Sequence, residues 1–360
     1  MNPVVKRINL SALIHNYRVA KEHARRSSVI AVIKADAYGH GMISVAQALN
    51  PICDGFAVAR SEEFLTLRES GIEKKTLVLQ GIESGEDLLA IAPFNPDLMI
   101  HHPQQIAILK KTPLSKPLTV WLKIDTGMHR LGLSVDDIPN ALRTLAQLPW
   151  VEQPVSLATH LANADDLHDP YTKQQIEQFK QHIPDSSHLT SIANSAGILR
   201  WPESHSDCNR AGIMLYGISP FPDLTGEQLG LRPVMQVESR LISTHNLPAN
   251  RPVGYGGDWV STKKTRIGVV SVGYGDGYPR AAQGGQLLVQ GKPATIIGRV
   301  SMDMITVDLS QHPHANIGDT AILWGADLPV ELLAKTAKTI PYELVCNLTQ
   351  RVQLDFENDC

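Results

Sequence analysis

The sequence of 360 residues contains only four cysteines, and no two of them form a CxxC pair. The four positions are Cys53, Cys208, Cys346 and Cys360. This scattered arrangement predicts neither a disulfide framework nor a zinc site, and it is typical of a protein of a reducing compartment. We therefore expect no metal and a cytoplasmic location.

Long apolar runs and a charge imbalance are also absent. No stretch reaches the roughly 18 consecutive apolar residues of a membrane-spanning helix. Residues 1–26 lack the apolar core of a secretory signal peptide, so we expect none. With 33 basic and 36 acidic residues, the net charge of −3 argues against a nucleic acid or an anionic membrane as the main partner.

The first two thirds of the chain alternates short apolar runs with amphipathic helical patterns. The eight runs that we expect to form strands are 28–34, 55–59, 76–80, 97–101, 118–124, 155–160, 188–193 and 213–217. They lack strict alternation, as parallel strands buried on both faces do. The pattern predicts an α/β fold with an N-terminal (β/α)₈ barrel over residues 1–230, and an open parallel sheet is the alternative. Helices are predicted to begin near Ser61, Ser84, Ser134 and Pro170.

Residues 231–360 have a different pattern and predict a C-terminal β-rich domain. Five β-rich segments are separated by Gly, Pro or Asp turns, and QGKP at 290–293 is typical of a hairpin connection. A short helix, VELLAKTAKT, and a strand-like RVQLDF follow. The boundary is expected within 219–233.

Functional groups of a βα barrel gather at the carboxyl ends of the strands. Lys34 follows the first apolar run and enters a Gly-containing turn with Tyr38 and His40. A lysine at a desolvated rim has a lowered pKa and can form a Schiff base, whereas the alternative is a strand-end lysine that reaches solvent.

A possible anion site follows the seventh and eighth predicted strands. NSAG at 194–197 and RAGI at 210–213 lie in the loops where barrels frequently bind phosphate. Ser195 can donate a hydroxyl, and Gly212 lets the backbone approach a ligand closely. Ordinary turn residues are the alternative. A Schiff-base lysine and a phosphate site on one rim together suggest pyridoxal 5′-phosphate (PLP).

Nine motifs in order along the chain resemble those of the alanine racemase family. They are AVIKADAYGHG, KIDTGMHRLG, ATHLANAD, ANSAG, NRAGIMLYG, VGYGGDW, VGYGDGYPR, GRVSMDM and YELVCNLTQRV. The resemblance covers essentially the whole chain. It implies a PLP-dependent isomerase that interconverts L-alanine and D-alanine, for D-alanine supply to peptidoglycan or for D-alanine catabolism.

The resemblance also implies the roles of individual residues. Lys34 and Tyr255 would be the two acid–base groups on opposite faces of the cofactor, as racemisation requires. Tyr255 would enter the active site of a partner subunit, so a homodimer with shared sites is expected. The implied cofactor-binding residues are Lys34, Tyr38, His160, Ser195, Arg210, Gly212 and Ile213.

Arg210 would face the pyridine nitrogen, which would then stay unprotonated and limit transamination. Arg130 and the N–H of Met302 from the other subunit would bind the substrate carboxylate. Tyr274 and Asp303 would shape the entrance. Lys123 corresponds to a lysine that is carbamylated in some relatives, and an unmodified lysine paired with Asp125 is the alternative.

Two positions depart from the family pattern. Gln350 stands where some relatives have a tyrosine near the phosphate, and His129 stands where others have a small residue. Alternative functions are a serine or broad-specificity racemase, or a non-catalytic PLP-binding barrel, although the segments around Tyr255 and Met302 argue against the latter. A metal-dependent hydrolase using His160 and Asp165 lacks a convincing ligand set.

Overall fold

The computed structural model describes residues Val4–Glu357 and separates into two compact units. The first, which we call the barrel unit, comprises residues 16–37 and 42–215. The second, the sheet unit, comprises residues 38–41 and the described parts of 1–15 and 216–360. The chain therefore contributes to the sheet unit in three separate stretches.

The described strands are numbered in chain order. They are β1 (Val5–Asn9), β2 (Ser28–Val32), β3 (Gly55–Val58), β4 (Thr76–Val78), β5 (Asp97–Ile100), β6 (Thr119–Lys123), β7 (Ser156–Ala158), β8 (Thr190–Ser191), β9 (Cys208–Ala211), β10 (Met235–Leu247), β11 (Pro252–Val253), β12 (Trp259–Val260), β13 (Thr265–Val270), β14 (Gln286–Val289), β15 (Lys292–Ile297), β16 (Ile305–Asp308), β17 (Thr320–Trp324) and β18 (Gln353–Glu357).

The described helices are numbered in the same way. They are α1 (Leu10–His23), α2 (Lys34–Gly39), α3 (Met42–Leu49), α4 (Ser61–Glu69), α5 (Gly85–Ile91), α6 (Pro103–Lys111), α7 (Ile138–Ala146), α8 (Tyr171–Gln181), α9 (Ser195–Arg200), α10 (Val330–Ala337) and α11 (Pro341–Cys346).

Strands β2–β9 form one parallel sheet in the barrel unit, which confirms the predicted fold class. The neighbour order is β8-β7-β6-β5-β4-β3-β2-β9. The strands at the two ends of this order, β8 and β9, also lie next to each other, since the Arg210 N–H in β9 donates to the Ala193 carbonyl just after β8, at 3.0 Å. Strands β3, β4, β5, β7 and β9 are buried along their whole length. Burial on both faces explains why their sequences do not alternate.

The predicted helix starts at Ser61, Ser84 and Pro170 are confirmed. Ser61 is the first residue of α4, and α8 begins directly after Pro170. The Ser84 side chain accepts the Asp87 N–H at the start of α5. Past Ser134 the chain first makes a 3₁₀ turn over Val135–Asp137 and then enters α7. Pro139 is tolerated in the first turn of α7, where its missing N–H would have had no helical partner.

The prediction of the eighth barrel strand at 213–217 is wrong. This apolar segment is a 3₁₀ turn over Ile213–Tyr216, and the strand is Cys208–Ala211. The error arose because β9 carries the polar residues Asn209 and Arg210, which are buried and hydrogen-bonded. The strand predicted to end at Lys34 also stops earlier, at Val32.

The sheet unit contains an eight-stranded, mostly antiparallel sheet in the order β13-β16-β15-β14-β17-β10-β1-β18. The long strand β10 also pairs with β13 beyond an irregularity between Leu241 and Ser243, so the sheet curls back on itself. The predicted hairpin at 290–293 is confirmed, with β14 and β15 paired around Gln290 and Gly291. The predicted C-terminal helix and final strand correspond to α10 and β18.

Strand β1 was not predicted from the sequence. It pairs antiparallel with β10 and parallel with β18. Its Arg7 side chain lies between Glu238 at 2.9 Å and Asp355 at 2.5 Å, so the Arg7 charge is matched across the sheet. A polar strand of this kind has no apolar run to reveal it.

Gly217 and Gly230 provide a test of how tightly the sheet unit is packed. Both have left-handed φ angles, +77° and +74°. A Cβ at Gly217 would lie 1.9 Å from the Arg232 carbonyl oxygen, whereas at Gly230 it would meet no atom within 4 Å. Gly230→Ala should cost about 1 kcal/mol of unfolding free energy. Gly217→Ala should cost about 3 kcal/mol or more, because backbone must move. Equal urea-denaturation midpoints for the two variants would contradict this packing.

Candidate active site

The structure brings most of the sequence-predicted site residues to the carboxyl ends of the barrel strands. Lys34 follows β2, Lys123 is the last residue of β6, and His160 follows β7. Ser195 opens α9 after β8, and Arg210 lies within β9. Because all eight strands are parallel, these ends lie on one side of the barrel.

Arg210 is buried and its guanidinium is held by atoms at the ends of two neighbouring strands, β7 and β8. It donates to the Ser191 hydroxyl, and to the Thr159 and Ile192 carbonyls at 2.6 and 3.3 Å. It also lies 3.3 Å from Nδ1 of His160. Burial lowers the pKa of Arg210 to about 10, so it remains charged near neutral pH.

His160 is held in its neutral form by its surroundings. Burial first, and then the charges of Arg210, Lys123 and Arg130, set its pKa well below the ordinary value. Arg210 donates to Nδ1 only if that nitrogen is unprotonated, so the remaining ring proton belongs on Nε2. The imidazole is therefore an acceptor for the guanidinium and not a cation.

Lys123 belongs to the same group of basic side chains. Burial, and then Arg210 and Arg130, lower its pKa to about 8, and Lys34 adds to the effect. Among the described residues, Asp125 is the one carboxylate that counters this effect on Lys123. A concentration of positive charge with so little compensation favours an anionic ligand.

The Asp125 carboxylate is directed at its own loop. Oδ1 accepts the N–H groups of Gly127 at 2.9 Å and His129 at 3.1 Å, and Oδ2 lies 3.3 Å from the His129 ring. Burial raises the pKa of Asp125, but these contacts outweigh burial and lower it. His129, with a left-handed φ of 54°, thus braces the turn that leads to Arg130. Lys123 and Asp125 form no ion pair within the described part of the chain.

Ser195, Gly212 and Ile213 come together at the ends of β8 and β9. The Ser195 hydroxyl oxygen accepts the Gly212 N–H at 2.9 Å, so its own proton can be donated elsewhere. The N–H of buried Ile213 donates to no acceptor among residues Val4–Glu357. A buried N–H without an acceptor fits an anion such as a phosphate.

Lys34 opens a left-handed helical turn, α2. Residues 35–38 all have φ between 52° and 54°, although none is a glycine. Such a conformation costs on the order of 1 kcal/mol per residue. Glu63 supports the turn, since it accepts the Ala35 N–H at 2.7 Å and the Ala59 N–H at 2.6 Å. The fold thus stabilises an unfavourable turn directly after the candidate nucleophile.

Tyr38, on the same turn, is a buried residue of the sheet unit. Its ring lies 4.8 Å from that of Tyr216 and 6.2 Å from that of Tyr342, between ring centroids. Burial first, and then Tyr342 and Cys346, raise the pKa of Tyr38. The phenol is therefore a hydrogen-bond donor, as a phosphate ligand would need to be.

Tyr274, Met302 and Asp303 are brought together in the sheet unit. The N–H of Gly275 donates to the Met302 carbonyl at 2.9 Å. Arg351 lies 2.8 Å from Asp303 and 3.2 Å from buried Asp276. Its guanidinium therefore connects the loop that contains Tyr274 with the loop that contains Met302. Sequence reasoning missed Arg351, although it lies within the quoted motif next to Gln350.

Tyr255 is the most exposed of the large apolar or aromatic residues in the described chain, at 71%. It belongs to the sheet unit, whereas the basic cluster of Lys34, Lys123, Arg130 and Arg210 belongs to the barrel unit. Tyr255 neighbours three glycines with positive φ, Gly254, Gly256 and Gly257. Met302, at 52%, is also exposed. These two side chains, assigned to a partner's site by the sequence analysis, therefore lie at the surface of the chain.

Cys53, Cys208 and Cys346 are free thiols, and Cys360 lies outside the described residues. Across residues 4–357, no group of three His, Cys, Asp or Glu side chains is arranged to bind a metal ion. Within the same range, every helix is too short or too polar to cross a membrane.

The chain matches known proteins over its whole length. Residues 8–220 match the alanine racemase N-terminal domain and residues 234–356 the C-terminal domain. Over 357 residues the chain is 45% identical to the alanine racemase of Aeromonas hydrophila, covering 99% of this chain and 100% of the relative. The chain belongs to the alanine racemase family.

Solved structures of the alanine racemase family have the same fold. The biosynthetic alanine racemase of Pseudomonas aeruginosa is 41% identical with a TM-score of 0.97, covering 99% of this chain and 100% of the other. The alanine racemase of Bartonella henselae with covalently bound pyridoxal phosphate is 28% identical with a TM-score of 0.88, covering 99% of each chain. The resemblance found in the sequence is thereby confirmed.

The charge state of Lys123 can be tested by stability measurements in CO₂-free buffer. Its pKa of about 8 lies below the ordinary 10.5, so the unfolded chain binds more protons between these values. Lys123 should therefore make the unfolding free energy rise with pH across that window, by about 1–3 kcal/mol. In Lys123→Met this rise should disappear from urea-denaturation curves. Lys173→Met, at an exposed site on α8, is the control. Parallel pH profiles for wild type and Lys123→Met would contradict the assignment.

Proposed function

We propose that this chain interconverts L-alanine and D-alanine with PLP held at the carboxyl ends of the barrel strands. The observation that carries the proposal is the basic cluster of Lys34, Lys123, Arg130 and Arg210 beside neutral His160 in a member of the alanine racemase family. A cofactor with a phosphate and a substrate with a carboxylate would supply the negative charge that this cluster lacks. The enzyme is then an isomerase.

The donor set fits the cofactor group by group. Lys34 would hold it covalently, and the Ser195 hydroxyl, the Ile213 N–H and the phenol of Tyr38 would bind its phosphate. The Gly212 N–H, which donates to the Ser195 oxygen, would direct that hydroxyl proton toward the phosphate. Ile213 supports this most directly, since its buried N–H otherwise has no acceptor among the described residues. Bound PLP would supply an electron sink that acidifies the hydrogen on the substrate Cα.

Arg210 would control how strong that electron sink becomes. Its guanidinium stays protonated near neutral pH and would donate a hydrogen bond to the pyridine nitrogen. That nitrogen would then remain unprotonated. His160 keeps Arg210 in place as an acceptor and does not supply a competing proton. A weaker sink favours return of the proton to Cα over transamination.

Two groups on opposite faces of Cα would exchange the proton. The amine of Lys34 would serve one face and the phenol of Tyr255 the other, each acting in turn as base and acid. Arg130 and the Met302 N–H would hold the substrate carboxylate, with Tyr274 and Asp303 at the entrance. A carbamate on Lys123, whose lowered pKa favours the reactive neutral amine, would orient Arg130.

We infer that Tyr255 and Met302 act in the site of a second subunit, so that the enzyme is a homodimer with shared active sites. Their exposure supports this, since exposed aromatic and Met side chains are common at subunit interfaces. We further infer a cytoplasmic, biosynthetic enzyme that supplies D-alanine for peptidoglycan. The biosynthetic relative from Pseudomonas aeruginosa supports that direction.

The function is tested by chiral chromatography of amino acids incubated with the PLP-loaded chain. L-alanine should be racemised in preference to L-serine, and borohydride reduction followed by peptide mapping should place PLP on Lys34. Lys34→Ala should lower the rate on the order of 10³-fold or more, while Lys173→Ala retains it. PLP on another residue, or no racemisation of alanine, would refute the proposal.

Shared active sites are tested by mixing inactive variants. A heterodimer of Lys34→Ala and Tyr255→Ala subunits would hold one intact site, so it should regain about half of the wild-type activity. Heterodimers are isolated with two different affinity tags, and each homodimer serves as a control. If purified heterodimers remain as inactive as the homodimers, the sites are not shared.

A further inference from the structure

Tyr255 is carried at the tip of a very short hairpin. Strands β11 and β12 pair through only two positions, Pro252 with Val260 and Val253 with Trp259. The root is anchored because Val253 packs with Ile267 and Ile297, and Trp259 lies against the same cluster. We call residues 254–258, with the sequence GYGGD, the tyrosine tip.

The tyrosine tip has little side-chain packing of its own. Gly254, Gly256 and Gly257 have φ of 72°, 77° and 63°. Glycine gives a backbone many alternative conformations, so a segment with three glycines among five residues needs an external restraint to keep one geometry. The position of the Tyr255 phenol depends on that restraint.

Arg299 supplies the restraint through Asp258. Its Nε donates to Oδ2 of Asp258 at 2.5 Å and its terminal nitrogen donates to Oδ1 at 3.2 Å, a two-point pairing of fixed geometry. Among the hydrogen bonds of the described residues, these two are the ones that tie the tyrosine tip to a segment outside the hairpin.

Arg299 also lies directly against the tip backbone. A Cβ on Gly256 would come within 3.1 Å of the guanidinium carbon, and one on Gly254 would lie 3.6 Å from the Arg299 backbone nitrogen. The guanidinium therefore fills the space beside the residue that follows Tyr255. It restrains the tip by contact as well as by charge.

We propose that Arg299 is a positioning residue, which through Asp258 holds the Tyr255 phenol in the orientation needed for proton transfer at one face of the substrate Cα. This inference rests on the proposed function. Loss of Arg299 would then leave proton transfer at the Lys34 face intact and slow transfer at the Tyr255 face. A residue that only stabilised the fold would affect both faces alike.

The test measures exchange of the Cα hydrogen with solvent in D₂O, starting separately from L-alanine and from D-alanine, with the full PLP-loaded chain. Tyr255→Phe first identifies the enantiomer whose exchange depends on the phenol. Arg299→Leu should slow exchange of that same enantiomer on the order of 10- to 100-fold. Exchange of the other enantiomer should stay within about threefold.

Two further variants separate positioning from folding. Asp258→Ala should reproduce the one-sided loss, and it replaces Arg299→Leu if that variant does not fold. Arg299→Lys, which can keep one ion pair, should restore part of the exchange. Arg266→Leu is the matched control: Arg266 donates to the His312, Pro313 and Ala315 carbonyls elsewhere in the sheet unit, so any loss should be equal for both enantiomers.

The outcomes distinguish this proposal from the proposed function. If the wild type exchanges neither enantiomer, the proposed function fails. If the wild type and Tyr255→Phe behave as expected but folded Arg299→Leu and Asp258→Ala lose exchange equally for both enantiomers, or lose none, the positioning role is refuted. A one-sided loss that matches Tyr255→Phe supports it.

Discussion

The buried charge of Arg210 is the constraint on which the chemistry of the barrel end depends. A guanidinium does not lose its proton near neutral pH, so its burial is offset by the hydrogen bonds that it donates to Thr159, Ser191 and Ile192. The groups around it must then adjust their own charge. His160 is neutral and accepts from Arg210, and the ammonium of Lys123 is disfavoured. Burial, together with this fixed cation, therefore disfavours the charged forms of His160 and Lys123, and the uncompensated positive charge favours an anionic ligand.

A second constraint on the barrel end is the strained, left-handed backbone directly after Lys34. Four non-glycine residues in a row adopt a backbone that L-amino acids disfavour, and neighbouring groups stabilise it. Glu63 accepts two N–H groups near the turn, and Asp36 accepts the Met42 N–H at 2.7 Å just after it. A relaxed right-handed helix would direct the side chains after Lys34 differently. Strain of this kind persists where the surroundings over-determine a conformation, as they do beside the candidate nucleophile Lys34.

The sequence was sufficient to predict the barrel, the following β-rich part and the family, because apolar runs and ordered motifs carry that information. It was not sufficient to locate β1 and β9. Both strands contain charged side chains, Arg7 and Arg210, whose partners lie far away in sequence, so no local pattern reveals that they are satisfied. Predicted strands were also too long, as in 188–193 against Thr190–Ser191, because buried loop residues are as apolar as strand residues.

The sequence predicted the residues of the candidate site only where a recognisable motif contains them. Lys34, Arg210 and Ser195 stand at strand ends, so the barrel rule identifies their side of the fold. The roles of Glu63 and Arg351 depend on contacts across the fold. Arg351 connects two carboxylates that lie far earlier in the chain, Asp276 and Asp303, and no spacing rule anticipates this pairing. The motif YELVCNLTQRV identified the segment that contains Arg351, but it did not show which side chains Arg351 contacts.

Two arginine–carboxylate contacts, at Arg299 and Arg351, illustrate why stability alone is a poor guide to such residues. Partly exposed ion pairs contribute little to the unfolding free energy, with typical values of about 0–1 kcal/mol. The segments around Asp258 and Asp276, however, each contain three glycines among five residues, so a small restraint removes many alternative backbone conformations. Catalytic geometry is sensitive to displacements of about 1 Å, which a denaturation curve does not register. In the proposed function, the value of these contacts therefore lies in the positions of Tyr255 and Met302, and not in the stability of the sheet that carries them.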